Sequence, residues 1–252
     1  MLDQYDIYSY TGASDLLEYK VPDATNRKVR LIGSPEFTEV KIGAVASIPM
    51  ALPGTLQEVQ LISDLFKQKN WQVTLSSGFN ANEKALKEIE SPYVLHVATH
   101  GFFLEDIEAS KEQASQSENP LMRSGLILAK NKDRSDVFSD GVLSAYEAMN
   151  LPLTDTRLVV LSACQTGQGK VKNGEGVYGL QRSLRSSGAS SIVLSLWRVD
   201  DAVTQQLMVQ FYKIWLDHPG SDMKQSFFEA QRSIKGKFPE PYYWGAFTWI
   251  GN

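Results

Sequence analysis

Apolar positions along this chain switch repeatedly between a strand-like and a helix-like spacing, and the order of the switches predicts the architecture. Residues 5–10 read as a short strand with a helix after it at 13–19, and residues 29–33 (VRLIG) as a second strand. Residues 34–53 contain Pro35, Pro49 and Pro53 among apolar residues without clear period, and read as a long loop. Thr55 and Glu58 stand at capping-box spacing ahead of Leu56, Val59, Ile62 and Phe66, so a helix is predicted to run to about Asn70. A strand at 71–75, a helix at 80–90 with Glu83 in its first turn, and a strong β-prone run at 93–101 (YVLHVATHG) follow.

Residues 104–119 are rich in Glu, Ser and Gln and read as a mobile surface loop. A strand at 124–130, a turn at Asp140-Gly141 and a short helix at 143–149 lead to Leu158, Val159, Val160 and Leu161, a run apolar enough to be buried on both faces. A helix opens at 174–176, presents Val177, Leu180 and Leu184 on one face and ends near Gly188. A strand at 192–196, amphipathic helices at 200–216 and 222–235, and a closing strand at 246–250 complete the order. Strands alternating with helices argue for a mostly parallel sheet covered on both faces, in one domain over residues 1–252. No internal repeat is visible.

Composition narrows the function. With 252 residues, 42% hydrophobic and 21% charged, the chain can bury its own core. Its net charge of −4 and the absence of any basic block give no reason to expect direct contact with nucleic acid or with an anionic membrane. A single cysteine cannot form an internal disulfide and suits a reducing compartment. The N-terminus lacks a basic segment followed by an apolar core, and no apolar run approaches about 20 residues, so a cytoplasmic protein is expected. No glycine-rich phosphate loop follows a strand, so no cofactor is expected.

The chemistry gathers at two strand ends. Cys164, the sole cysteine, falls where the apolar run at 158–161 gives way to small residues and turn formers. His100 ends the run at 93–101 with Gly101 behind it. Ligands of open parallel sheets bind beyond the carboxyl ends of the strands, so both addresses suit a nucleophile and its base. A thiolate also needs donors for the tetrahedral oxyanion. The N–H of Gly101, with no side chain in the way, and the N–H of Cys164 are candidates. Alone, such a cysteine is more often a small buried hydrophobe. The spacing of His96 and His100 would suit zinc on a helix, but on a strand it sets them about 13 Å apart, and His96 reads as a core histidine; no metal site is expected.

THG at 99–101, SACQTG at 162–167, GEGVYGLQRSL at 174–184 and SLWRVDDAVT at 195–204, with GSPEF from Gly33 and LPGTLQEV from Leu52, resemble the CHAT domains. These are caspase- and separase-like cysteine proteases frequently joined to tetratricopeptide repeats. The resemblance implies a caspase-like three-layer α/β/α sandwich with a mostly parallel central sheet. It makes His100 the catalytic histidine, Cys164 the nucleophile, and the N–H groups of Gly101 and Cys164 the oxyanion hole. The interval from His100 to Cys164 is near the roughly 50 residues of caspases. SACQTG departs from the caspase pentapeptide, so a preference for aspartate at P1 does not carry over.

Asp200 and Asp201 follow the WRV of a separase-like LWxVxD pattern, in which Asp201 takes the last position and an acid receives a basic P1 side chain. Asp200 would also serve as the N-cap of the next helix, and acids suit its first turn on dipole grounds. Glu175 and Trp197 are further S1 candidates, against the alternatives of a solvated helix-start acid and a packed aromatic. The resemblance implies a cysteine endopeptidase cleaving a protein substrate after Arg or Lys, under control of a tetratricopeptide-repeat region or regulatory protein, in a chain that is whole or cut from a longer repeat-bearing one. The loop at 104–119, which carries Lys111, is a candidate for blocking the cleft or for being clipped. Two other readings stay open: a silent scaffold that binds partners, and an acyl hydrolase of small amides such as glutamine.

Overall fold

The most apolar runs of the chain lie side by side at the middle of one sheet. The structure, a computed structural model, describes residues 7–9, 25–42, 45–104, 119–131, 139–165, 175–197, 199–218 and 220–251, with the side chains of 45, 120, 163–165 and 175–178 outside the description. The first strands are β1 (Tyr8–Ser9), β2 (Lys28–Pro35), β3 (Val40–Ile42) and β4 (Val45–Ser47), followed by helix α1 (Pro53–Gln68), β5 (Gln72–Gly78) and α2 (Glu83–Lys87). Next come β6 (Val94–Phe103), β7 (Ser124–Ile127), β8 (Val142–Ser144), α3 (Ala145–Ala148), β9 (Leu158–Gln165), α4 (Glu175–Ser186) and β10 (Ser191–Ser195). Helices α5 (Asp201–Asp217), α6 (Met223–Lys237) and α7 (Pro241–Trp244) precede the last strand, β11 (Phe247–Gly251).

Strand order in the main sheet is β1-β11-β10-β9-β6-β2-β5. The pairs from β10 through β5 are parallel, while β11 runs antiparallel to β10. Beyond the end of β2, residues 100–103 of β6 pair antiparallel with β7, and β7 with β8. Alternation along the buried strands divides the core in two. Val94, Ala98, Leu158, Val160 and Val193 meet α1, α5 and α6 through residues such as Ile62, Phe66, Phe211 and Phe227. Leu95, Val97, Val159, Leu161 and Ile192 meet α2, α3 and α4 through Leu86, Ala148, Leu180 and Leu184. The result is a three-layer α/β/α sandwich whose sheet is mostly parallel.

Several local expectations give way to tertiary demands. Thr55 and Glu58 do not cap α1, whose N-cap is Leu52 without a side-chain hydrogen bond and whose entry is set by Pro53. Thr55 Oγ1 instead donates to the Leu52 carbonyl, and Glu58 is turned into the core. The segment read as a loop at 34–53 contains the β3–β4 hairpin, which seats Val40 against Phe102 and Ile127; three-residue strands are too short to display a period. Helix α2 begins after Asn82, whose side chain accepts from the Ala85 N–H, and Leu143 belongs to β8, with Ser144 and Glu147 forming the capping box of α3. Helix α7 was not expected, since four residues carry no readable period. The helix expected at 13–19 and residues 105–118 of the loop expected at 104–119 lie outside the described residues.

Glycines set two close approaches. A Cβ on Gly33 would come within 2.7 Å of a Val59 methyl, so the bare backbone of β2 lets α1 lie directly on the sheet. A Cβ on Gly125 would overlap the Leu143 carbonyl and stand 2.7 Å from the Phe102 ring. Gly125→Ala is expected to destabilise the fold by about 3 kcal/mol, as overpacking against rigid backbone does. Gly236→Ala on α6, where a Cβ meets open space, should leave stability unchanged or raise it slightly. Parallel denaturant titrations of the two variants check this.

Candidate active site

Strands β6 and β9 pair in parallel without a slip from Val94↔Leu158 onward, and this register brings His100 opposite Cys164 and Gly101 opposite Gln165. The Cα atoms of His100 and Cys164 are therefore about one strand spacing, 4.8 Å, apart. Strand β9 runs one residue past Cys164 rather than ending before it. The Cys164 side chain lies outside the described residues. Gly101 is held from both sides, opposite Gln165 of β9 and Leu126 of β7.

The His100 imidazole is buried and held by two segments of the chain. Its Nε2 lies 2.7 Å from the backbone carbonyl of Met50, in the stretch between β4 and α1. A carbonyl only accepts, so Nε2 carries the hydrogen, and in the neutral ring the basic lone pair is left on Nδ1. The Phe37 ring, just beyond β2, packs against the imidazole with centroids 5.1 Å apart at 42°. Phe37 lies within the GSPEF motif and was open to being singled out. Met50 acts through its main chain, for which no residue type is a signal.

Two pleat repeats deeper on the same strand, His96 closes a polar triad between three elements. Its Nε2 is 2.8 Å from Glu58 Oε1 on α1, and its Nδ1 is 3.2 Å from the Tyr212 hydroxyl on α5. All three residues are at most 1% exposed. The bonds close when Glu58 accepts from Nε2–H and the Tyr212 O–H donates to Nδ1. Burial, reinforced by the Glu58 charge, pushes the Tyr212 phenol well above the usual tyrosine value. Unfolded tyrosine ionises near pH 10, whereas folded Tyr212 keeps its proton, so this group withdraws stability as pH rises past about 10. Tyr212→Phe should flatten that alkaline fall, read from urea midpoints at about pH 9 and about pH 11. β6 is a strand throughout, so His96 and His100 do not converge on one metal.

The two adjacent aspartates have different surroundings. Asp200 is the N-cap of α5 and accepts from the N–H groups of Ala202 at 2.9 Å and Val203 at 3.1 Å. Asp201 is half-buried where the first turns of α1 and α5 meet: a Cβ on Gly54 would stand 3.1 Å from its Cβ. It lines a cavity of about 10 Å³ together with Thr55, Glu58, Thr99, Ser162 and Thr204, under the strand ends that carry His100 and Cys164. Trp197 is 37% exposed and donates its indole N–H to the Tyr242 carbonyl at 3.0 Å, packing toward α7 rather than into the core. Glu175 is the first residue of α4, with its side chain outside the described residues. Among the described residues no cluster of three or more His, Cys, Asp or Glu could hold a metal ion, and no helix is long and apolar enough to cross a membrane.

A family model described as the CHAT domain matches residues 1–252. Tetratricopeptide repeat protein 28 of Mus musculus is 31% identical over 113 residues, covering 44% of this chain and 4% of the relative. Its Homo sapiens counterpart is 30% identical over the same length, with the same coverage. The chain thus spans a small fraction of the length of these relatives. Among solved structures, the Arg specific cysteine proteinase gingipain R superposes over 90% of this chain and 46% of its own, with a TM-score of 0.54 at 11% identity. The complex of Porphyromonas gingivalis RgpB pro- and mature domains covers 100% of this chain and 51% of that one, with a TM-score of 0.53 at 10% identity. At these identities the likeness carries the fold alone, a caspase-like α/β/α sandwich.

Proposed function

The chain belongs to the CHAT domain family, and from that premise we propose that it is a cysteine endopeptidase working through His100 and Cys164, with a basic residue at P1. The observation that carries the reading is the register of β6 and β9, in which the only cysteine in the chain and His100 are Cα partners across the two strands.

His100 Nδ1 takes the thiol proton, and the Cys164 sulfur adds to the scissile carbonyl. The N–H groups of Gly101 and Cys164 hold the oxyanion. Collapse of the tetrahedral species breaks the C–N bond, and the imidazolium gives its proton to the departing amine. Water, deprotonated by the same nitrogen, then cleaves the thioester and restores the thiol. The Met50 carbonyl supports this by holding Nε2–H, which keeps Nδ1 as the working nitrogen through both proton transfers. Losing one oxyanion donor costs about 10²- to 10³-fold in other hydrolases, so a small displacement at Gly101 would silence the enzyme. That sensitivity gives a partner, such as a tetratricopeptide-repeat region, a means of control in a reducing, cytoplasmic setting.

Asp201 supports the basic P1 preference, because it is a half-buried acid lining the cavity beneath the strand ends. Gingipain R, which shares the fold, is described as Arg specific, the same class of P1 side chain. The test is a P1-scanned peptide library offered to wild type and to Cys164→Ala, with free glutamine as a second substrate. Cysteine-dependent cleavage after basic residues supports the reading. Ammonia from glutamine instead would make the protein a small-amide hydrolase, and cleavage by neither protein would make it a binding scaffold.

A further inference from the structure

We infer that the cavity beneath His100 and Cys164 is built for an ammonium group, so that lysine is preferred to arginine at P1; the inference deepens the peptidase reading and rests on it. The hydroxyls around the cavity divide into two kinds. Thr55 Oγ1 donates to the Leu52 carbonyl and accepts from the Ser34 N–H, and Thr99 Oγ1 donates to the Ile127 carbonyl. Ser162 Oγ and Thr204 Oγ1 have no hydrogen-bond partner among the described residues, although both residues are only 5% exposed. Of the eight buried hydroxyls without a partner among the described residues, these two line one cavity, where a single occupant could serve both.

Charge, size and reach say what. The described lining carries two carboxylates, Glu58 and Asp201, and no cationic side chain, so it favours a cation over water. The volume of about 10 Å³ holds one water-sized group. An –NH₃⁺ group is of that size and points three donors, which suit two hydroxyl oxygens and a carboxylate. A guanidinium is wider, planar and best met by a bidentate carboxylate on an open slot. Ser162 precedes Cys164 by two residues on β9, about 6.6 Å along the strand. The four-carbon stem of lysine spans roughly 6 Å from Cα to Nζ, so a P1 lysine at the attacked carbonyl delivers its ammonium to the level of Ser162. Thr204 lies one helical turn beyond Asp201 on α5, as Glu58 does beyond Thr55 on α1, so the floor is built from corresponding turns of two helices.

The experiment compares kcat/KM for peptides identical except for Lys, Arg or norleucine at P1. Lysine should exceed arginine by about tenfold or more. Thr204→Val and Ser162→Ala should each lower the ratio of the lysine to the norleucine value by about tenfold, while Thr204→Ser retains the preference. Equal or faster cleavage after arginine, or equal losses for lysine and norleucine in the hydroxyl variants, would overturn the inference and leave the peptidase reading standing. Calorimetric binding of the same peptides to Cys164→Ala separates the two questions. Preferential binding of the lysine peptide without any turnover by wild type would keep the pocket and sink the peptidase; equal or undetectable binding of the lysine and arginine peptides would sink the pocket.

Discussion

Cys164→Ala is expected to lower kcat/KM for a basic-P1 peptide by on the order of 10⁴-fold or more, and adding His100→Ala to that variant should cost almost nothing further. Alanine removes the atom that forms the covalent intermediate, and no neighbouring group replaces it. With the sulfur absent, the imidazole has no thiol to deprotonate and no thioester to hydrolyse, so its loss falls on a step that no longer occurs. His100→Ala alone leaves the thiol without its base and proton donor, a loss of about 10²- to 10⁴-fold by the usual worth of general acid–base catalysis. Assays of the four proteins form the cycle. Losses that multiply would mean the two residues do not act in one step, despite standing opposite each other in the ladder. Melting temperatures of the variants guard against unfolding as the cause.

The positions of His100 and Cys164 were legible because both end runs so apolar that only strands buried on two faces explain them. Their juxtaposition was implied by the family resemblance and was not legible from periodicity. It depends on β6 and β9 pairing from Val94↔Leu158 without a bulge, although the chain between them makes β7, β8 and α3. Glu58 was misread for a related reason. Its spacing from Thr55 matches a local capping pattern, while the group that claims its carboxylate, His96, is remote in sequence and near only after α1 docks on the sheet. The β3–β4 hairpin hid because three-residue strands show no alternation, and with it went the stretch that delivers the Met50 carbonyl. For the aspartates, the sequence offered a cap at Asp200 and favoured Asp201 for a pocket; Asp200 is the cap of α5, and Asp201 lies against Gly54 of α1.

Glu58→Ala is expected to destabilise the protein by about 3 kcal/mol, the order of cost for stranding a buried hydrogen-bond donor and removing a buried side chain together. The residue is 1% exposed and the His96 Nε2–H it serves has no route to water, so truncation strands a buried donor as well as opening a void. Glu58→Gln keeps a carbonyl oxygen for that N–H and should cost only about 1–2 kcal/mol. The double change Glu58→Ala with His96→Ala should be milder than the sum of the two singles, since the second change removes the imidazole donor that the first one strands. Denaturant titrations supply the energies, and activity adds a second test. Glu58 pins α1 to β6 one turn inside the helix whose leading segment presents the Met50 carbonyl to His100. If that linkage positions the imidazole, Glu58→Gln under conditions where it is fully folded should lower kcat for a norleucine-P1 peptide, which owes nothing to the charge on the cavity floor. A variant that loses stability with kcat intact would show that the triad holds the core together without aiming the histidine.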